Sequence, residues 1–201
     1  MTRDEKKAQT RQRLLDAAAE VFARRGLDGA SLDEIAAEAG LTKGAVYSNF
    51  ANKEELVFEV LDESAHERMR ATLDEVDFSG EGATEAQRAG RLYMKMDEEQ
   101  PAVLQLWLEA TSYAARSPEF LKRFGHRHRE AVGEMIEVIE DSSTQFDLSL
   151  PMPADEMGVL LNALGMGLAI ERLLGSDVPE DLFGRAIVLL YGQSLTEPDQ
   201  T

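Results

Sequence analysis

The stretch LTKGAVYSNFANKEEL, residues 41–56, sets hydroxyl, ammonium and amide groups among very small side chains. That mixture suits recognition of a phosphate-lined groove better than it suits bond-breaking. Thr42, Lys43, Gly44 and Ala45 would stand at the amino end of a short helix. Backbone N–H groups and the positive end of the helix dipole favour an anion there. Small side chains let such a helix enter a major groove about 12 Å wide. Ala45 offers a methyl to a thymine methyl, while Lys43, Ser48 and Asn49 can hydrogen-bond base edges or phosphates. Tyr47 falls on the flank, within reach of a phosphate, and Lys53 beside the next helix start can reach the same strand. A merely solvated face would carry Glu, Lys and Gln, which hold a helix better than Gly and Ser do.

The elements that must position this stretch read as helices. Apolar residues recur with a 3.6-residue period through most of the chain, and strand signals are nearly absent. Helix one is expected over 4–25, with Leu14, Leu15, Ala18, Val21 and Phe22 on one face and Gly26 as a left-handed stop. Ser31 and Glu34 form a capping box that opens a short helix ending at Gly40. Thr42 caps a second short helix through about Ser48, and Asn52 caps a longer one. Ala36 is small where two helices cross, Gly40 supplies the turn, and Leu41 and Val46 plug the space beneath. This is a helix-turn-helix in outline. Later helices are expected at 85–98, 101–115, 118–140, 155–174 and 179–195, with loops over 77–84 and 141–155. The fold class is all-α, with about nine helices: a three-helix head over 1–54 and a helical body over 55–201.

Charge divides the same way. The chain of 201 residues carries −17 overall, yet residues 1–60 hold nine Lys/Arg against eleven Asp/Glu. The remainder holds 12 against 27, so a near-neutral head sits on an acidic body. A polyanion could approach only the head. There is no cysteine, which removes disulfides and thiolate metal sites and is compatible with a reducing cytoplasm. The amino end lacks an apolar signal core. The longest apolar run, 157–170, is shorter than the ~20 residues a spanning helix needs, so no membrane role is expected.

Residues 14–60 resemble the amino-terminal pattern of the tetracycline-repressor (TetR) family of bacterial transcriptional regulators. The resemblance rests on Phe22, Gly26, Ile35-Ala36, Gly40, Tyr47-x-x-Phe50 and Lys53-Glu54-x-Leu56. Asn49 departs from the bulky aromatic or His common there, which bears on base preference. The resemblance implies a ligand-responsive repressor that binds a pseudo-palindromic double-stranded DNA operator as a homodimer and is released by a small-molecule effector. It also implies that residues 42–49 form the recognition helix, with Ser31, Tyr47 and Lys53 on backbone phosphates.

The body offers two further expectations. The last two helices are apolar nearly all round, which calls for cover on every side. A twofold partner could supply it through Leu160, Leu164, Gly167, Leu168, Phe183, Ile187 and Leu190. Among the bulky groups of the middle helices, which include Tyr93 and Met135, a ligand pocket is expected at Met94, Leu104, Trp107, Leu108, Tyr113, Phe120 and Phe124. Glu109 could orient a cationic ligand if it faces inward. Ordinary core is the competing reading for each of the bulky groups, and a solvated carboxylate is the competing and favoured reading for Glu109. Catalysis is not expected. His126 and His128 point to different sides of a helix, His126 with Glu130 lacks a third ligand, and neither a phosphate loop nor a nucleophile elbow occurs. No cofactor or metal is expected. The rival class is an all-helical protein-interaction module without sequence-specific DNA binding.

Overall fold

The computed structural model describes residues 2–76, 82–99, 101–146 and 148–191, the side chains of 96–99 excepted. Among these residues the chain forms nine helices and no strand. They are α1 (Arg3–Gly29), α2 (Leu32–Glu38), α3 (Lys43–Asn49), α4 (Lys53–Glu75), α5 (Gly82–Glu99), α6 (Pro101–Ala114), α7 (Pro118–Gln145), α8 (Ala154–Leu173) and α9 (Leu182–Tyr191). None is long and apolar enough to cross a membrane.

Helix starts carry the expected capping residues, although the box expected at Ser31 is only half made, because the Glu34 carboxylate pairs with Arg25 at 2.9 Å. Ser31 Oγ accepts from the Glu34 N–H at 3.2 Å, Thr42 Oγ1 from Ala45 at 3.2 Å, and Asn52 Oδ1 from Glu55 at 2.9 Å. Gly26 does break helix one, with φ 71° and ψ 170°, but the chain resumes a further turn to Gly29. Residues 82–84, expected as loop, begin α5, and 77–81 lie outside the described residues. Helix α7 continues through Gln145 into the stretch expected to be irregular. Helix α9 starts at Leu182, after a turn in which its N–H meets the Pro179 carbonyl at 3.1 Å. Residues 192–195, expected at its end, lie outside the described residues.

The chain divides into two compact units. The first comprises Met1–Ala65 with Gln100–Arg127, the second His66–Glu99 with His128–Thr201. The expected boundary at 54/55 therefore differs from this division: the first unit includes α6 and the start of α7 as well as the three-helix head. Packing explains the difference. Leu14, Ala18, Val21 and Phe22 recur at helical spacing on α1 and share one core with Ile35, Val46, Phe50, Phe58, Leu106 and Phe120. Arginines on α7 reinforce it: Arg123 pairs with Glu54 at 3.0 Å and Glu55 at 3.2 Å, and Arg127 with Glu55, Glu59 and Asp62.

The second unit is built around the crossing of α5 and α9. Gly90 and Gly184 meet there with no room for a side chain: a Cβ on Gly184 would lie 2.6 Å from Gln87 Cα and its carbonyl oxygen. Tyr93 of α5 then stacks on Phe183 of α9 at 5.4 Å, and the Arg68 guanidinium lies 5.0 Å over the Tyr93 ring. In sequence, the first unit's stretches hold 13 Lys/Arg against 15 Asp/Glu, and the second unit's hold eight against 23.

Candidate nucleic-acid interface

The turn between α2 and α3 is built by backbone and by one arginine. Gly40 takes φ 62°, which side chains rarely tolerate. The Leu41 N–H then folds back to the Ala36 carbonyl at 2.9 Å. Arg13 of α1 donates to the Ala39 carbonyl at 2.6 Å and fixes the turn against the first helix. Val46 is fully buried and Leu41 half-buried, so α3 is held by its inner face.

What α3 leaves outward is the predicted set, with distinctions. Thr42, Lys43, Gly44, Tyr47 and Ser48 are exposed, and Tyr47 keeps 54% of its surface. Ala45 and Asn49 are half-buried. Asn49 Nδ2 donates to the Ala45 carbonyl at 2.8 Å and Ser48 Oγ to the same carbonyl at 2.9 Å. Each of those groups must rearrange, or use its oxygen as an acceptor, to read a base. Ser31 and Thr42 accept the capping bonds through oxygen and retain a hydroxyl proton to donate. Lys43 Nζ pairs with Asp33 Oδ2 at 2.7 Å in full solvent. That hydrogen bond, and then the Asp33 charge, raise its pKa from the ordinary lysine value, so it stays cationic. A phosphate could replace Asp33 as its partner.

Lys53, expected on a phosphate, also makes contacts within the protein. Its ammonium donates to the carbonyls of Leu27 at 2.7 Å, Ala30 at 3.1 Å and Asp28 at 3.4 Å. It thereby closes the carbonyl end of α1, where helices leave acceptors unpaired and favour cations. Glu109 of α6 completes the same junction: its carboxylate accepts the Leu27 N–H and abuts Gly26. Glu109 thus serves the α1 kink and not a bound cation. Lys53→Met is expected to lower stability by about 1.5–3 kcal/mol, the range for hydrogen bonds to a charged group. Urea unfolding checks it; unchanged stability would return Lys53 to a purely phosphate-directed role.

The residues expected to line a ligand pocket are not those that line the apolar cavity of the second unit. Trp107, Tyr113, Phe120 and Phe124 form an aromatic cluster with Phe58 in the first unit. Phe58–Phe120 centroids stand 4.9 Å apart and Tyr113–Phe120 4.8 Å. Leu104 is buried and Leu108 half-buried on the same helix, and Met94 is buried in the second unit. None of these seven lines the apolar cavity of about 140 Å³ that the second unit contains. Its walls include Met69, Leu73, Ala86, Ala89, Tyr93 and Met135. The signal was present in sequence: 69, 72 and 73 on one helix, and 82, 85, 86, 89 and 93 on the next, each fall on one face.

The seven residues expected at a dimer interface also divide. Leu160 and Gly167 are exposed, and Leu164, Leu168 and Leu190 are half-buried. Phe183 is buried against Tyr93, and both Phe183 and Ile187 line the cavity. Val159, Ala163 and Leu189 are exposed apolar residues that the sequence reading passed over.

Comparison with known proteins decides the affiliation. Residues 14–60 match the model of bacterial regulatory proteins of the tetR family, and residues 82–195 match that of the BetI-type transcriptional repressor carboxy-terminal region. The second match alone spans more than half the chain. The chain belongs to the TetR family. Among its relatives, the HTH-type transcriptional regulator SrpR of Pseudomonas putida is 50% identical over 58 residues, 29% of this chain and 27% of that protein. The chain thus matches about a quarter of that relative's length. The transcriptional repressor AcnR of Corynebacterium efficiens is 28% identical over 196 residues, covering 97% of each. A solved TetR-family regulator from Rhodococcus sp. superposes with a TM-score of 0.73 at 20% identity, covering 92% of this chain and all of that one. The last of these shows a shared fold.

Proposed function

We propose that this TetR-family chain is a transcriptional regulator that binds double-stranded DNA through α3 and releases it when a small molecule occupies the second unit. The observation that carries this reading is the outer face of α3. Thr42, Lys43, Gly44 and Tyr47 stand exposed on a helix pinned by Val46 and Arg13, in the unit whose charges nearly cancel. A rigid, sparsely decorated helix on a near-neutral unit can approach a polyanion that the acidic remainder repels.

The reading includes a homodimer. Val159, Leu160, Ala163 and Gly167 form an exposed stripe at helical spacing on α8, and Leu189 of α9 keeps 80% of its surface. A second copy covers such a stripe through a self-complementary twofold contact. Two α3 helices would then address half-sites about 34–36 Å apart, or a multiple of that. Occupation of the cavity would favour a state with the wrong spacing, to the extent that ligand affinity differs between states. Helices α4 and α7 each contribute residues to both units and would carry the change. Relatives named as transcriptional regulators, a repressor among them, support regulation of transcription.

Fluorescence anisotropy with duplexes from the chain's own chromosomal neighbourhood tests this. One fragment is expected to bind at least about a thousandfold more tightly than scrambled DNA, within the usual span for specific binders. Equal binding to all fragments would refute a sequence-specific regulator. Tyr47→Phe should weaken specific and scrambled duplexes by the same factor, since a phosphate contact carries no base information. A shifted sequence preference would instead place Tyr47 on a base.

A further inference from the structure

The cavity of the second unit leaves a buried hydroxyl without a partner. It has room for about 140 Å³. An apolar protein cavity of roughly 150 Å³ holds a benzene-sized guest, and drug-sized ligands need about 300 Å³ or more. The guest is therefore small, with about six to nine non-hydrogen atoms. The walls are nearly all aliphatic or aromatic, so most of that guest is hydrocarbon. Three of the polar side chains that line the space have an outlet. Thr72 donates to the Arg68 carbonyl at 2.9 Å, Glu85 is engaged within the protein, and Ser142 is only half-buried and can meet water. Tyr191, the last residue of α9, has none. It is 8% exposed, and among the described residues its hydroxyl makes no hydrogen bond. Burial pushes that hydroxyl up to about 12, so at neutral pH it keeps its proton and is an uncharged donor. A buried donor left unused is costly, and an acceptor oxygen on a guest would relieve it. A charge on the guest is disfavoured for either sign. No Lys, Arg or His stands among the described lining residues to receive an anion, and the unit's stretches hold eight Lys/Arg against 23 Asp/Glu. A cation would shed its water in an apolar space where the one carboxylate among those residues is already engaged.

We propose that the cavity binds a small, uncharged, mostly hydrocarbon molecule through one carbonyl-type oxygen, which accepts a hydrogen bond from the Tyr191 hydroxyl. Its hydrocarbon part is enclosed by α4, α5, α7 and α9. This rests on the effector reading above and gives the effector a chemical class. Calorimetric titration of the full-length protein tests it with four probes of similar size: acetophenone, ethylbenzene, benzoate and 1-phenylethylamine. Acetophenone and ethylbenzene are both expected to bind, while benzoate and the amine, each charged at neutral pH, go undetected. Tyr191→Phe should weaken acetophenone at least about fivefold, because its oxygen is then buried without a donor, and ethylbenzene should bind at least as tightly as before. An equal loss for both, or no loss for acetophenone, overturns the proposal. So does silence from acetophenone, or binding of either ion as tight as that of the ketone. The infrared carbonyl band of bound acetophenone gives a second reading that needs no variant. It is expected at lower frequency than in hexane; a band at the hexane position overturns the hydrogen bond. Because no DNA is present, these outcomes are separate from those of the anisotropy experiment: ketone binding with no specific duplex would sink the regulator reading and leave this one standing.

Discussion

Gly44→Glu is expected to abolish specific DNA binding while the protein stays folded. Gly44 is exposed, and an added Cβ would find only Thr42 Oγ1, at an ordinary 3.8 Å. Replacing glycine within a helix gains about 0.5–1 kcal/mol in helix propensity, and an acid in the first turn complements the dipole. Thermal stability should therefore hold or rise slightly. Toward DNA the same carboxylate meets phosphates on both sides of the groove. A loss of at least about a hundredfold, ~2.7 kcal/mol, is expected for the operator. Ala45 is a less clean position for this experiment, because it is half-buried and its carbonyl serves both Ser48 and Asn49. Anisotropy and circular dichroism on the same preparation check the two halves of the expectation. Retained binding would take α3 out of the groove.

The second large effect concerns stability. Gly184→Ala places a Cβ 2.6 Å from Gln87 Cα and from its carbonyl oxygen. Those are backbone atoms of α5, so no side chain can rotate away and the two helices must part. Overpacking of this kind costs about 2–3 kcal/mol. For a chain of this size that corresponds to a Tm lower by roughly 4–12 °C. Gly133→Ala is the control, since nothing lies within 4 Å of its added Cβ. It is expected to stabilise by about 0.5–1 kcal/mol through helix propensity. Equal behaviour of the two variants in calorimetric melting would contradict the α5–α9 crossing.

The head was legible because its determinants are local. Ser31, Thr42 and Asn52 each close a bond three residues on, and Gly40 is required by a backbone angle; neither depends on distant sequence. Gly26 was recognised as a break for the same reason, but the extra turn to Gly29 depends on Glu109 and Lys53, which are far away in sequence. Lys53 lies near the recognition helix in sequence, but its bonds to the carbonyls of Leu27, Asp28 and Ala30 join it to residues far away in sequence. The body was legible as helices, but periodicity alone does not single out its cavity. An aromatic stripe such as Trp107, Tyr113, Phe120 and Phe124 has the same periodicity whether it packs on Phe58 or faces a ligand. The cavity arises where faces from several helices fail to fill a space, and that is a property of the assembled unit. Phe183 illustrates the ambiguity of an all-apolar helix: its inner face was available for two uses, and packing against Tyr93 took it.

Methylation protection with dimethyl sulfate on the bound operator fragment tests the central claim most directly. The reagent marks guanine N7, which faces the major groove, and adenine N3, which faces the minor groove. Insertion of α3 predicts guanine N7 protected in two patches about one helical turn apart, or a multiple, with adenine N3 still reactive between them. Protection confined to adenine N3, or none at a concentration that saturates anisotropy, would contradict entry of α3 into the major groove.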